Sequence, residues 1–160
     1  MPLVENIEET YHINENTLVL NPARNINYYT TVLENNRRLY IRKTPLEIVK
    51  AACYDEWYTY EGRRRAVMYH TNFKRKVPIP INPQKNIYLF PTHAPSNFEN
   101  TWISYKHIAN TNPSTKNPET STIIFYNGLK LTLNMSHYSL RSQMNRTFEC
   151  MYRMGAGLGI

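Results

Sequence analysis

Short apolar runs separated by polar turns dominate the chain, and only two stretches carry helical spacing. Tyr11, Ile13, Leu18 and Leu20 flank the polar Asn14, Glu15 and Asn16, a pattern that predicts a short hairpin over 11–13 and 18–20. Residues 26–33 and 39–41, rich in Tyr, Thr, Val and Ile, predict further strands. The segment Thr44-Pro45-Leu46-Glu47 then opens a helix: Thr caps, Pro fits the first helical position and Glu stands where a capping-box partner belongs. Leu46, Val49, Ala52 and Cys53 follow at helical spacing, so this short helix near 45–53 has one buried face, and Cys53 reads as core rather than nucleophile.

After Gly62, the alternation of Val67 and Tyr69 against Met68 predicts a strand over 66–70 and places Arg63, Arg64 and Arg65 at its turn. Three prolines in 77–83 remove ladder donors and confine that stretch to an edge strand or ordered loop. Strands are expected over 86–90, stopped by Pro91, and over 102–108, with a flexible connection at 110–120. Residues 122–126 and 129–133 form a hairpin across Asn127-Gly128, a dipeptide suited to a type I′ turn. Leu140, Met144, Phe148 and Met151 make the apolar stripe of a C-terminal helix near 136–153, expected to pack on the sheet or to face a partner. The glycines at 155, 157 and 159 predict that the helix stops there. The fold class is therefore α+β, mainly antiparallel strands and hairpins.

With 160 residues, 41% of them hydrophobic, the chain is sized for one domain, read as residues 1–153 with a glycine-rich tail at 154–160. No run of 18 apolar residues predicts a membrane span, and the acidic first ten residues lack the pattern of a secretory signal. Cys53 and Cys150 sit in no CxxC pair, which fits a reducing, cytoplasmic setting.

Charge changes this picture because it is uneven. The net charge is +7, and between Arg37 and Lys76 there are 11 Lys or Arg against four acidic residues, so the remaining 120 residues balance. Three clusters carry the excess: Arg37, Arg38, Arg42 and Lys43; Arg63, Arg64 and Arg65; Lys74, Arg75 and Lys76. Such a field suits a polyanion, foremost nucleic acid, with an anionic membrane surface or a merely solubilising face as the alternatives. Trp57, Tyr58, Tyr60 and Tyr69 interleave with the cations, either to stack on bases or to pack the sheet. Two consecutive helices joined by a short turn are not read here, which argues against a helix-turn-helix. An arginine projecting from a loop or strand edge suits the minor groove.

Catalytic chemistry has no comparable signal. His12, His70, His93, His107 and His137 lack metal-ligand spacing, and neither GxGxxG nor GxxxxGK[ST] occurs, so no cofactor and no enzymatic activity are read.

Pro45-Leu46-Glu47-Ile48-Val49, Tyr60-Glu61-Gly62-Arg63-Arg64, Asn86-Ile87-Tyr88-Leu89-Phe90-Pro91-Thr92 and Trp102-Ile103-Ser104 occur in an order that resembles the bacterial competence transcription factor family, ComK. Phe125-Tyr126-Asn127-Gly128 and Gln143-Met144-Asn145-Arg146-Thr147 extend the resemblance, which runs from about residue 9 to 153. It implies a cytoplasmic activator of DNA-uptake genes that binds double-stranded AT-rich DNA, largely through the minor groove, as a homo-oligomer. It also implies an adaptor that delivers the protein to a Clp protease. Arg63, Arg64 and Arg65 match the family's basic segment after its glycine, and Lys74, Arg75 and Lys76 match another basic stretch more loosely. Family members continue past the region of Asn145-Arg146-Thr147, so the chain resembles a truncated member, and a protein-interaction remnant without specific DNA binding is the second reading. A small RNA-binding module is the third.

Overall fold

The computed structural model describes residues 6–157 and is a mixed α+β, mainly antiparallel fold. Its strands are β1 (Ile7–Glu8), β2 (Thr17–Pro22), β3 (Thr30–Glu34), β4 (Arg38–Ile41), β5 (Ile79–Asn82), β6 (Ile87–Pro91), β7 (Trp102–Ser104), β8 (Ile108–Pro113), β9 (Ser121–Phe125) and β10 (Lys130–Leu133). Accompanying them among the described residues are α1 (Pro45–Asp55), α2 (Tyr60–Thr71) and α3 (His137–Gly157). A seven-stranded sheet has the order β1-β4-β3-β2-β7-β6-β5, and a three-stranded sheet has the order β10-β9-β8. Among the described residues, only the β1–β4 pair is parallel.

The large sheet is covered on both faces, which explains its continuous apolar strands. Successive side chains alternate faces. Leu20, Leu89 and Trp102 pack with Ile48, Val49, Ala52 and Cys53 of α1. Their neighbours Val19, Phe90 and Ile103 pack on the other side with Ile123 and Phe125 of the small sheet and Leu140 of α3. Val67 of α2, Val77, Tyr88 and Cys150 of α3 form a third cluster that ties the two long helices to the sheet.

Local chemistry accounts for the elements that match expectation. The α1 capping box is complete, with Thr44 Oγ1 accepting from Glu47 N at 3.2 Å and Glu47 Oε1 accepting from Thr44 N at 3.0 Å. Pro80 is tolerated in β5 because β5 is the sheet edge.

Several expectations are corrected. Residues 66–70 are not a strand; they belong to α2, whose buried positions Tyr60, Val67 and Thr71 fall at helical spacing. Thr59 caps its start by accepting from Gly62 N at 2.9 Å, and Asn72, with φ 65°, ends it. A Cβ on Gly62 would stand 2.8 Å from Thr59 Oγ1, so glycine leaves room for that cap. Helices α1 and α2 are thus consecutive and joined by the short turn 56–59, the arrangement the sequence had argued against.

The predicted 11–13 strand is absent: Tyr11 instead plugs the core, its hydroxyl meeting Thr17 Oγ1 at 2.6 Å and donating to Glu34. The 26–33 strand starts only at Thr30, and Ile26 is exposed. The 102–108 segment divides into β7, a 3-10 turn and the first residue of β8, which runs on to Pro113 through the start of the expected 110–120 connection. At the β9–β10 turn Gly128 has φ 89° while Asn127 does not adopt positive φ, which excludes type I′. Phe125 N donates to Leu129 O and Gly128 N to Phe125 O, both at 2.9 Å, closing a three-residue loop with a left-handed glycine.

Helix α3 buries Leu140, Gln143, Thr147 and Cys150, whereas Phe148 is 59% exposed. Of the predicted apolar stripe, Leu140, Met144 and Met151 therefore pack inward and Phe148 does not, and the buried face widens toward Gln143, which donates to the Lys76 and Pro91 carbonyls. The helix also continues through Gly155 to Gly157; residues 158–160 of the predicted tail lie outside the described residues.

Candidate nucleic-acid interface

Helical geometry separates the arginine triplet. Each residue turns about 100° around the axis, so Arg63 and Arg65 point to different sides of α2. Arg63 is half-buried, with its guanidinium 3.6 Å from the Tyr58 ring centroid. Arg64 is also half-buried, and Arg65 is exposed. Tyr69, one turn beyond Arg65, is 82% exposed. The aromatics divide in the same way: Tyr60 is buried against Trp102 and Tyr58 donates to Pro80 O at 2.9 Å, whereas Trp57 is exposed in the α1–α2 turn at φ 69°.

Lys74, Arg75 and Lys76 lie in the loop leaving α2. The side chains of Lys74 and Arg75 are exposed, and Lys76 has φ 47°. Their backbone is held from α3. Gln143 Nε2 donates to Lys76 O at 2.9 Å and to Pro91 O at 2.8 Å, and Arg146 Nη2 donates to Arg75 O at 2.6 Å. Arg146 also donates to Gln143 Oε1 and lies 4.4 Å from the Phe73 ring centroid. Burial lowers the Arg146 pKa, with Glu149 opposing the shift. Gln143 and Arg146 lie outside the apolar stripe of Leu140, Met144, Phe148 and Met151. Their signal was present: Leu140, Gln143, Thr147 and Cys150 recur at spacings of three and four, which marks Gln143 as an inward position.

The remaining basic cluster is elsewhere and is partly neutralised. Arg37 Nε pairs with Glu34 Oε1 at 2.7 Å, and Arg42 Nη1 pairs with Glu9 Oε1 at 2.5 Å. Glu34 is buried, which alone would raise its carboxyl pKa; hydrogen bonds from Tyr11, Arg37 and Asn14 outweigh burial and hold it below the ordinary value. Arg38 and Lys43 are exposed and make no ion pair among the described residues. Strand β4, which carries Arg38, is five positions from β5 in the sheet. At ordinary strand spacing this is roughly 24 Å, so a charge run contiguous in sequence becomes two separate regions.

The histidines are dispersed in local bonds, such as His12 with Asp55 at 3.0 Å and His137 with Thr111 at 3.0 Å. Among the described residues, no group of three or more His, Cys, Asp or Glu is placed to hold a metal ion, and no helix is long and apolar enough to cross a membrane. Cys53 and Cys150 are both free and buried.

The family described as ComK protein matches residues 8–157. The chain belongs to the ComK family. This ComK-family chain is 29% identical over 140 residues to the competence transcription factor of Bacillus subtilis (strain 168), an alignment covering 87% of the chain and 72% of that relative. No solved structure matches it.

Proposed function

We propose that the chain is a DNA-binding transcription factor acting on competence genes in the cytoplasm, with α2 and the loop after it as its DNA-contacting face. The observation that carries this reading is the loop at 74–76: α3 fixes its backbone carbonyls while Lys74 and Arg75 keep their side chains in solvent. A pre-set backbone spares the ordering cost of binding, and exposed cations meet phosphates. Arg65 and Arg64 extend the contact along α2, and the exposed Tyr69 and Trp57 supply aromatic surface.

The family match and the similarity to a competence transcription factor support this function, and the family resemblance supports AT-rich DNA read through the minor groove by a homo-oligomer under the control of a Clp-protease adaptor. The α1–turn–α2 pair favours a second docking mode, in which α2 enters the major groove.

Fluorescence anisotropy with three duplexes at matched salt tests both modes: AT-rich, GC-rich, and the GC-rich sequence with inosine replacing guanine. Inosine removes the guanine amino group from the minor groove while leaving the major-groove edge unchanged. Minor-groove reading predicts that the inosine duplex binds like the AT-rich one; major-groove reading predicts that it binds like the GC-rich one. Failure to bind any duplex at low salt would overturn the proposed function.

A further inference from the structure

On the inner side of α2, a cleft of about 250 Å³ opens between α2 and α3. Its walls are apolar at Ala66, Val67 and Met154 and cationic at Arg63 and Arg153, with His70 beside them. The cations are not equivalent. Arg153 is paired with Glu149 at 3.1 Å, whereas Arg63 makes no ion pair among the described residues. Arg63 Nε is shielded from solvent and has no hydrogen-bond partner among those residues. The Tyr58 ring, 3.6 Å from the guanidinium carbon, is a cation–π neighbour but supplies no negative charge.

Nor do the nearby thiols supply a counter-charge. Burial pushes Cys53 up to about 12 and Cys150 up to about 11, against the opposing pull of Arg63, so both stay protonated at neutral pH. A half-buried cation without a paired anion is an unfavourable arrangement that a bound anion relieves.

We propose that this cleft is a binding site for a small organic carboxylate, of about the size of hexanoate or benzoate, with its carboxylate on Arg63 and its hydrocarbon part on Ala66, Val67 and Met154. Charge complementarity selects the anion, and the apolar wall selects an organic tail over a fully hydrated inorganic ion. The site stands on the packing of α2 against α3 and is independent of the DNA reading.

Isothermal titration of the full chain with hexanoate, hexanol and inorganic phosphate tests the site, alongside a thermal-shift measurement. Hexanoate should bind and raise the melting temperature; hexanol should bind at least about tenfold more weakly, the loss expected without one charge-assisted hydrogen bond, and phosphate at least about tenfold more weakly for want of a hydrocarbon tail, at roughly 0.8 kcal/mol per buried methylene. Arg63→Gln should weaken hexanoate by a similar factor, while Arg141→Gln, which removes the same charge from the exposed face of α3, should leave it unchanged. Ala66→Phe keeps every charge and fills the cleft, so it should abolish binding; it decides the matter if Arg63→Gln does not fold. Equal binding of hexanol or phosphate, undiminished hexanoate affinity in Arg63→Gln, or hexanoate binding that persists in Ala66→Phe, would overturn the proposal.

Discussion

The basic residues at 37–43 and those at 74–76 carry similar charge in sequence but meet opposite surroundings. In the first region the protein answers two of its four cations: Glu34 takes Arg37 and Glu9 takes Arg42. In the second, the stabilising bonds go to the backbone, from Gln143 and Arg146, and the lysine and arginine side chains at 74 and 75 are left to solvent. A cation held by a carboxylate presents little net field to a phosphate. One whose main chain is fixed and whose side chain is free presents its whole charge. Neutralisation and support, rather than the count of Lys and Arg, therefore distinguish a structural basic segment from a candidate interface.

The most disruptive way to break this comparison is to remove the support. Gln143→Leu keeps the side chain's approximate size but orphans the buried Pro91 O and leaves Lys76 O with only the 3.3 Å bond from Arg146 Nη1. A buried unsatisfied acceptor costs roughly 1–3 kcal/mol, so a loss of about 1–3 kcal/mol is expected in urea unfolding. DNA affinity should fall as well, measured under conditions where the variant remains folded. A variant that loses stability yet binds DNA as the parent does would separate the support from the interface.

The next effect is smaller in stability and larger in salt dependence. Lys74→Gln, Arg75→Gln and Arg65→Gln together remove three exposed charges without touching the Gln143 bonds. If each meets a phosphate, the slope of log K against log salt should become shallower by about 2.7, at 0.9 per contact. Unfolding should be close to that of the parent chain. An unchanged slope would remove these residues from the interface.

How much of this was readable in the sequence depends on how local the cause is. The α1 capping box lies within Thr44-Pro45-Leu46-Glu47, and the edge position of β5 is announced by its prolines. Helix α2 was missed because its buried face is narrow, with Val67 and Thr71 beyond an arginine-rich turn, and the neighbouring Val67-Met68-Tyr69 imitates alternation. Thr59, Gly62 and the closing Asn72 were the better guides. The site was less legible than the fold. That Arg37 is taken by Glu34 follows from a spacing of three residues, but the hold of α3 on the 74–76 loop joins positions about 70 apart, and no local pattern reports it.

Glu34 offers a pH test of the neutralised region. Its folded pKa is lowered, so its contribution to stability is present above the unfolded value of about 4.3 and is lost as pH falls through the folded value. Glu34→Gln should cost about 1–2 kcal/mol at neutral pH, since Tyr11, Asn14 and Arg37 lose a charged acceptor. It should also flatten the decline of the urea midpoint below about pH 4.3. Released Arg37 should add little DNA affinity if this region is away from the duplex; a large gain would mean that Glu34 masks part of the interface.

Arg38 gives the smallest and sharpest comparison. It sits on β4 opposite Leu33 of β3, is exposed, and makes no ion pair among the described residues, so neither neutralisation nor packing explains it away. Only its position separates it from Arg65. Arg38→Gln should alter stability by less than about 0.5 kcal/mol and DNA Kd by less than about twofold, whereas Arg65→Gln should weaken DNA binding and reduce the salt slope by about 0.9. Both are single exposed arginines changed to the same residue, so net charge cannot account for a difference between them. Equal losses in anisotropy titrations at several salt concentrations would mean that the two basic regions meet one continuous stretch of nucleic acid despite their separation across the sheet.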